Sequence, residues 1–421
     1  MTRILILVLI LFEVSQLFAS ENEDFTFIVG LYRDENYDLA QAELIRFLDS
    51  YPASDYVSDA EYLLANIYLH KGLFNDAQVI YYRLYLRYTN PAIRDNVLLG
   101  LAQSYFYLED MEQSSKYFLI FNAEFPGHPL LWKSFYFLGR ISVSKGETSK
   151  ALRYYDESIR LKDAPEAYLA KLELLLETDK EKKTGEFLSE ITKKFSGTTT
   201  SDKAVLLFQD FHLNDRSYDK VLEIPYQVAS SSVLYPEYKV NRAAAHYEKG
   251  EARLALSELA SVRTDRAEYY RALSYRQLQR NEEARAILLE LEKSALSEEL
   301  RVYSSFMLAE MEDDMALRNL RLMEFITRHP DSDFNGVAYY QIGFNKHEAG
   351  NYDDAVQNLE KSLLLDLDAE TREKAVFLLA ESQYQSGSLQ ESNSGYKFYL
   401  DNYSQGSYCD EALFKIGLIH Y

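Results

Sequence analysis

Seven histidines are scattered at His70, His128, His212, His246, His329, His347 and His420, and Cys409 is the single cysteine. A zinc site needs several nitrogen or thiolate ligands brought together, and neither an HExxH helix nor a Cys/His pairing is spelled out. One cysteine also excludes a disulfide within the chain; Cys409 reads as a small packed residue near a helix start. Gly-x-Gly is absent throughout, so no glycine-rich phosphate loop is written. No Gly-x-Ser-x-Gly elbow occurs either. The carboxylate pairs Asp313-Asp314 and Asp353-Asp354 fall at turns or first helical turns, where the helix dipole favours negative charge. The short basic clusters at 180–183 and 193–194 sit beside acids and read as a solvated face. The expectation is a chain with no catalytic residue, no metal and no cofactor. What remains is surface, and surface depends on the elements that display it.

Those elements are clearest in Asn335–Lys361. Val337, Ala338, Ile342 and Gly343 follow a helical spacing with one face meant for burial. Gly350-Asn351 breaks the pattern, and Asp353-Asp354 opens a second helix whose stripe is Ala355, Leu359 and Ser362. Small Gly343 and Ala355 let two antiparallel backbones approach. A single hairpin cannot bury such a face, so stacked copies are required. They are present. Ala40, Ala77, Ser114 and Ala151 recur every 37 residues, as do Ala65, Ala102 and Gly139, and again Gly343, Ala380 and Gly417. Turn sequences keep the same register at Glu35-Asn36-Tyr37, Gly72-Leu73-Phe74, Lys145-Gly146-Glu147, Lys249-Gly250-Glu251 and Gly350-Asn351-Tyr352. Second helices end in aromatic stretches followed by a breaker, as in Phe47–Ser54 and Phe325–Ser332, with variants at Phe121–Pro126 and Tyr399–Ser404. Proline cannot continue the helix, and the Ser or Asp after it is expected to cap the next one.

This pattern resembles the tetratricopeptide repeat (TPR): small residues at Gly343 and Ala355, a turn glycine at Gly350, an aromatic at Tyr352 and a large residue at Leu359. The expected fold is an all-α solenoid of about eleven helical hairpins plus a final unpaired helix. A step of 37 instead of the usual ~34 implies a longer second helix or a longer turn between repeats. With its Phe-Leu-x-x-Tyr-Pro-x-Ser ending, it resembles the periplasmic branch of the family, such as BamD-like and TolA-binding (YbgF/CpoB-like) repeats. BamD-like proteins carry a lipidated N-terminal cysteine and the TolA-binding type an N-terminal coiled coil; both are missing from this sequence, so only the repeats are shared.

At 421 residues, with a net charge of −21, the chain is longer than a usual single core and strongly acidic. Such a surface repels phosphate backbones and anionic lipid, so nucleic-acid binding is not expected and basic protein or peptide partners are favoured. Residues 1–20 read as a secretory signal: Arg3, the apolar run Ile4–Phe12, and small Ala19 and Ser20 at the cut. That run is too short to span a bilayer, which takes roughly 20 apolar residues. A periplasmic location with no membrane span after cleavage is therefore expected. Residues 21–197 and 235–421 read as regular lobes joined by an irregular helical connector at 198–234. Asp410–Tyr421 reads as a further first helix, with Leu413, Ile416 and Ile419 as its apolar stripe, open to a partner or a second copy.

In the family the first helices line the concave side, where partners bind. Carried over, that set is Tyr62, Asn66, Gln103, Phe106, Tyr107, Tyr136, Arg140, Tyr340, Phe344, Phe377 and Tyr384. Rigid aromatics with hydrogen-bonding neighbours suit an extended or helical peptide. The resemblance thus implies a protein-interaction scaffold or adaptor in the bacterial cell envelope. A self-assembling structural protein is the alternative, and a helper of outer-membrane assembly or cell division stands behind both.

Overall fold

The structure is a computed structural model that describes residues 21–87, 91–178 and 181–421; the signal-like stretch 1–20 lies outside the described residues. Among the described residues there are 23 helices and no strand. They follow one another as eleven pairs and a final helix, the all-α solenoid expected of the repeats.

The described residues pack as two compact units, divided between Ala204 and Val205. In the first unit the pairs are α1 (21–33) with α2 (Tyr37–Ser50), α3 (Val57–His70) with α4 (Phe74–Arg87), and α5 (Pro91–Tyr107) with α6 (Met111–Glu124). Then come α7 (Leu131–Ser144) with α8 (Thr148–Leu161), and α9 (Pro165–Glu177) with α10 (Glu181–Lys194). Helix α11 (Thr199–Asn214) runs across the division and is followed by the short α12 (Tyr218–Glu223). The second unit continues with α13 (Tyr235–Glu248), α14 (Ala252–Glu258), α15 (Asp265–Gln277), α16 (Asn281–Ser294), α17 (Glu298–Glu310) and α18 (Met315–Arg328). It ends with α19 (Asn335–Glu348), α20 (Tyr352–Leu363), α21 (Ala369–Gln385), α22 (Leu389–Asn402) and α23 (Cys409–His420).

The 37-residue step has a simple anatomy. In α3 and α4 two fourteen-residue helices are joined by three residues, and α2 reaches α3 through the six residues 51–56. The same six-residue link separates α6 from α7, α18 from α19 and α22 from α23. Its first residue turns back onto the helix it leaves: Tyr51, Phe125, His329 and Tyr403 each donate their N–H to the carbonyl four residues earlier. Their rings lie 5.0–5.8 Å from those of Phe47, Phe121, Phe325 and Tyr399. The serines expected to cap the next helix act one step earlier. Ser54 and Ser332 accept from the N–H groups of Tyr56 and Phe334, which are themselves the N-cap residues, so the serines shape the link and leave the helix end uncapped.

The three-residue turns inside hairpins need one left-handed residue. Gly72, Gly146, Gly250, Gly350 and Gly387 have φ between 70° and 85°. The following N–H closes each helix, as Leu73 N–H does on the Tyr68 carbonyl. Glu35, Glu109, Arg216 and Gln279 adopt the same conformation (φ 57–62°) without being glycine.

Helices close up where the sequence repeats small residues. Ala40, Ala65, Ala77, Ala102, Ala151, Ala355 and Ala380 are fully buried. A Cβ added to Gly343 would sit 2.7 Å from Leu359 Cγ. Serines bind across the same seams: Ser114 and Ser392 donate to the Ala102 and Ala380 carbonyls, and Ser158 and Ser362 to those of Trp132 and Gly336. The final helix is only half covered. Ile416 and Ile419 pack beside Phe377, Tyr396 and Tyr399. Leu413, expected in the same stripe, is 57% exposed with Phe414 and Leu418, and Gly417 faces open space.

Candidate protein-interaction groove

Successive first helices touch in the first unit, α3 with α5, α5 with α7 and α7 with α9, whereas the second helices approach one another less. First helices therefore form the closer-set side, and a groove of about 560 Å³ opens on it across α5, α7 and α9. That volume suits a few side chains of a guest.

Each wall follows from helical spacing. Helix α9 contributes Glu166, Leu169, Ala170, Glu173 and Glu177, which recur at helical intervals along one face. Tyr136, Arg140 and Val143 come from α7, Phe106 from α5, and the floor is Tyr155 of α8. The Tyr155 ring is 2% exposed and lies where any side chain on Gly139 would stand, so the small residue at 139 makes room for the floor. The Arg140 guanidinium sits 4.9 Å from the Phe106 ring centre and close to Tyr136.

The groove is negatively biased. Glu166, Glu173 and Glu177 are exposed, and neither Glu173 nor Glu177 is ion-paired among the described residues. Glu166 lies near Lys133, whose pKa burial lowers while the glutamate opposes the shift. Burial pushes the Tyr155 hydroxyl well up, with Tyr136, Glu173 and Glu177 adding to the rise and Arg140 opposing it. Tyr136 is raised by burial too, against the pull of Arg140. Both phenols stay protonated at neutral pH, and each keeps an O–H to donate.

Of the sequence-derived set, Phe106, Tyr136 and Arg140 meet in this groove. The rest are placed otherwise. Tyr62 is half-buried and edge-on to Tyr81, Asn66 accepts a 2.5 Å bond from the Tyr81 hydroxyl, and buried Gln103 donates to the Leu99 carbonyl. Tyr107 is exposed and stacks on Phe74 at 4.7 Å. In the second unit Phe377 is core, stacked on Tyr408 at 4.4 Å, and Tyr384 lies under the Lys415 ammonium. Tyr340 is half-buried and Phe344 exposed. The three glutamates and Tyr155 were not anticipated. Their only signal was the carboxylate stripe of α9, a helix that lacks the small-residue marks used to find repeats.

Among the described residues no group of three or more His, Cys, Asp or Glu side chains converges to hold a metal ion. Among them also, no helix is long and apolar enough to cross a membrane.

Two tetratricopeptide-repeat family models match the chain, at residues 28–92 and 337–368. No curated protein matches it in sequence. Similar solved structures include the APC/C hetero-tetramer Cut9–Hcn1, at 13% identity and a TM-score of 0.34 over 95% of this chain and 96% of that one. Pseudomonas aeruginosa pilF is 17% identical with a TM-score of 0.39 over 52% of this chain and 96% of its own. A tetratricopeptide-repeat protein from Parabacteroides merdae is 13% identical with a TM-score of 0.37 over 69% and 98%.

Proposed function

We propose that this tetratricopeptide-repeat protein is an exported, non-catalytic scaffold of the bacterial cell envelope. It holds protein partners against the closer-set side of its first helices. The observation that carries this reading is the aromatic groove across α5, α7 and α9, an open recess on the side where neighbouring first helices meet. Export is supported by Arg3, the apolar run Ile4–Phe12 and the small residues at 19–20, together with the long periplasmic-type repeat. The net charge of −21 favours basic partners over nucleic acid.

Phe106 is too buried to test the groove, since its loss would leave a cavity in the core. Tyr136→Ala combined with Arg140→Ala is the better variant, because both side chains line the groove. Capture of envelope proteins by the double variant should drop while far-ultraviolet circular dichroism stays helical; unchanged capture removes the groove assignment. Fusing residues 1–30 to a phosphatase that is active only outside the cytoplasm tests export, and an inactive fusion defeats it.

The exposed face of α23 favours a second reading, self-association, because Leu413, Phe414 and Leu418 stand together in solvent. A mass that stays monomeric at every concentration disposes of it.

A further inference from the structure

The groove's chemistry specifies its guest more narrowly than a protein partner. Building on the scaffold reading, we propose that the recess across α5, α7 and α9 takes an arginine side chain of a partner peptide, flanked by apolar residues.

Three features converge on that side chain. The recess is mostly apolar, lined by Phe106, Tyr136, Tyr155, Leu169 and Leu174, which suits the methylenes of a long side chain and its apolar neighbours. Its rim carries Glu166, Glu173 and Glu177 against Arg140, a surplus of two negative charges. Glu173 and Glu177 are four residues apart on one face of α9, both within electrical reach of the Tyr155 hydroxyl at the floor. A planar, delocalised cation matches two carboxylates above aromatic walls better than a strongly hydrated ammonium does. The groove already holds one guanidinium against an aromatic face, since Arg140 lies over the Phe106 ring.

An acidic guest would meet two unpaired carboxylates, and a purely apolar guest would leave them beside low-dielectric surface. Lysine is disfavoured by its hydration, so arginine should outrank it. Because the carboxylates are exposed, the attraction is screened and salt-sensitive.

The test uses the full chain and dye-labelled synthetic peptides in which a central arginine stands between leucines. A second series carries citrulline, which keeps the shape and removes the charge. Fluorescence anisotropy should show the arginine series binding about tenfold more tightly, the equivalent of ~1.4 kcal/mol. Glu173→Gln with Glu177→Gln should erase that difference while leaving citrulline binding in place. Raising salt from about 0.15 M to about 1 M should erase it as well. Equal binding of the two series, both lost in Tyr136→Ala, overturns the arginine assignment and leaves the groove standing. No binding of either series, or binding untouched by both Tyr136→Ala and the double glutamine variant, overturns the assignment and the groove reading together.

Discussion

Glu177 and Glu310 each close a first helix, α9 in one unit and α17 in the other, yet they live in opposite electrostatic settings. Glu310 is held by Arg276 at 3.3 Å and by the side-chain amide of Gln341, and its side chain is only 13% exposed. Glu177 is exposed and lines a groove. The residue that differs can be located by register. Arg276 stands three positions before the left-handed turn residue Gln279, and Val143 stands three positions before Gly146. Where the second unit spends an acid on internal pairing, the first unit has valine opposite the acid and leaves its charge for a guest. Within one repeat architecture, arginine or valine at this position accompanies a paired or an unpaired acid.

The strongest way to break this contrast is to remove the groove's floor. Tyr155→Ala should destabilise the first unit by about 3–5 kcal/mol, as for a fully buried aromatic. Gly139→Ala alone should also destabilise, because its methyl would overlap the Tyr155 ring. Together the two should cost less than their sum, since the alanine at 155 vacates the space the methyl needs. Amide exchange of α7 to α9 reports the first unit separately, which matters because two units need not unfold as one. Additive effects would show that the ring does not depend on the glycine.

The paired and unpaired acids should then part company. Glu310→Ala leaves Arg276 and Gln341 without their acceptor and should destabilise α15–α19 by about 1–3 kcal/mol. Glu177→Ala should stay within about 0.5 kcal/mol. Equal costs in urea titrations followed by exchange would erase the contrast. Acid sharpens it further through Glu381. Burial alone would raise its pKa above the usual 4.5, but hydrogen bonds from Lys415, Tyr396 and Gln385 hold it below. A depressed carboxylate contributes stability that is complete above its unfolded value and is lost as pH falls through the lower folded value. Stability of α21–α23 should thus decline below about pH 4.5 in the native chain and decline less in Glu381→Gln.

The repeat period, the buried small residues and the turn glycines were all legible in the sequence, because close helix approach and left-handed turns restrict residue type severely. A small buried residue precedes the left-handed residue by seven positions in Ala65–Gly72, Ala102–Glu109, Gly139–Gly146, Ala272–Gln279 and Gly343–Gly350 alike. Glu109 and Gln279 escaped notice because any residue can be forced into that conformation once the packing around it is fixed. Gly417 misled in the other direction: it keeps the register, but nothing lies within 4 Å of the Cβ it lacks. The groove was legible only in part. Aromatics on first helices serve packing and binding equally, and burial alone separates Phe377 from Phe344.

That turn position gives a smaller test. Glu109→Gly should stabilise by about 0.5–1 kcal/mol, the relief of left-handed strain less the entropy of a freer unfolded chain. Gly146→Ala should destabilise by a similar ~1 kcal/mol. Melting temperatures moving the same way in both variants would contradict a shared turn geometry.

The finest probe transplants the second unit's solution into the first. Val143→Arg places a guanidinium on α7, three residues before the turn, as Arg276 is placed on α15. Val143 lines the groove and is 37% exposed, so the longer side chain has room without overpacking. Pairing with Glu177 across exposed surface is worth little, and stability should move by less than about 0.5 kcal/mol. Binding is the sensitive readout, because the new cation occupies the place of the guest's. Arginine peptides should weaken about threefold, or ~0.6 kcal/mol, while citrulline peptides hold. If both series weaken equally, the arginine acts by filling space, and the difference between the two units is one of shape instead of charge.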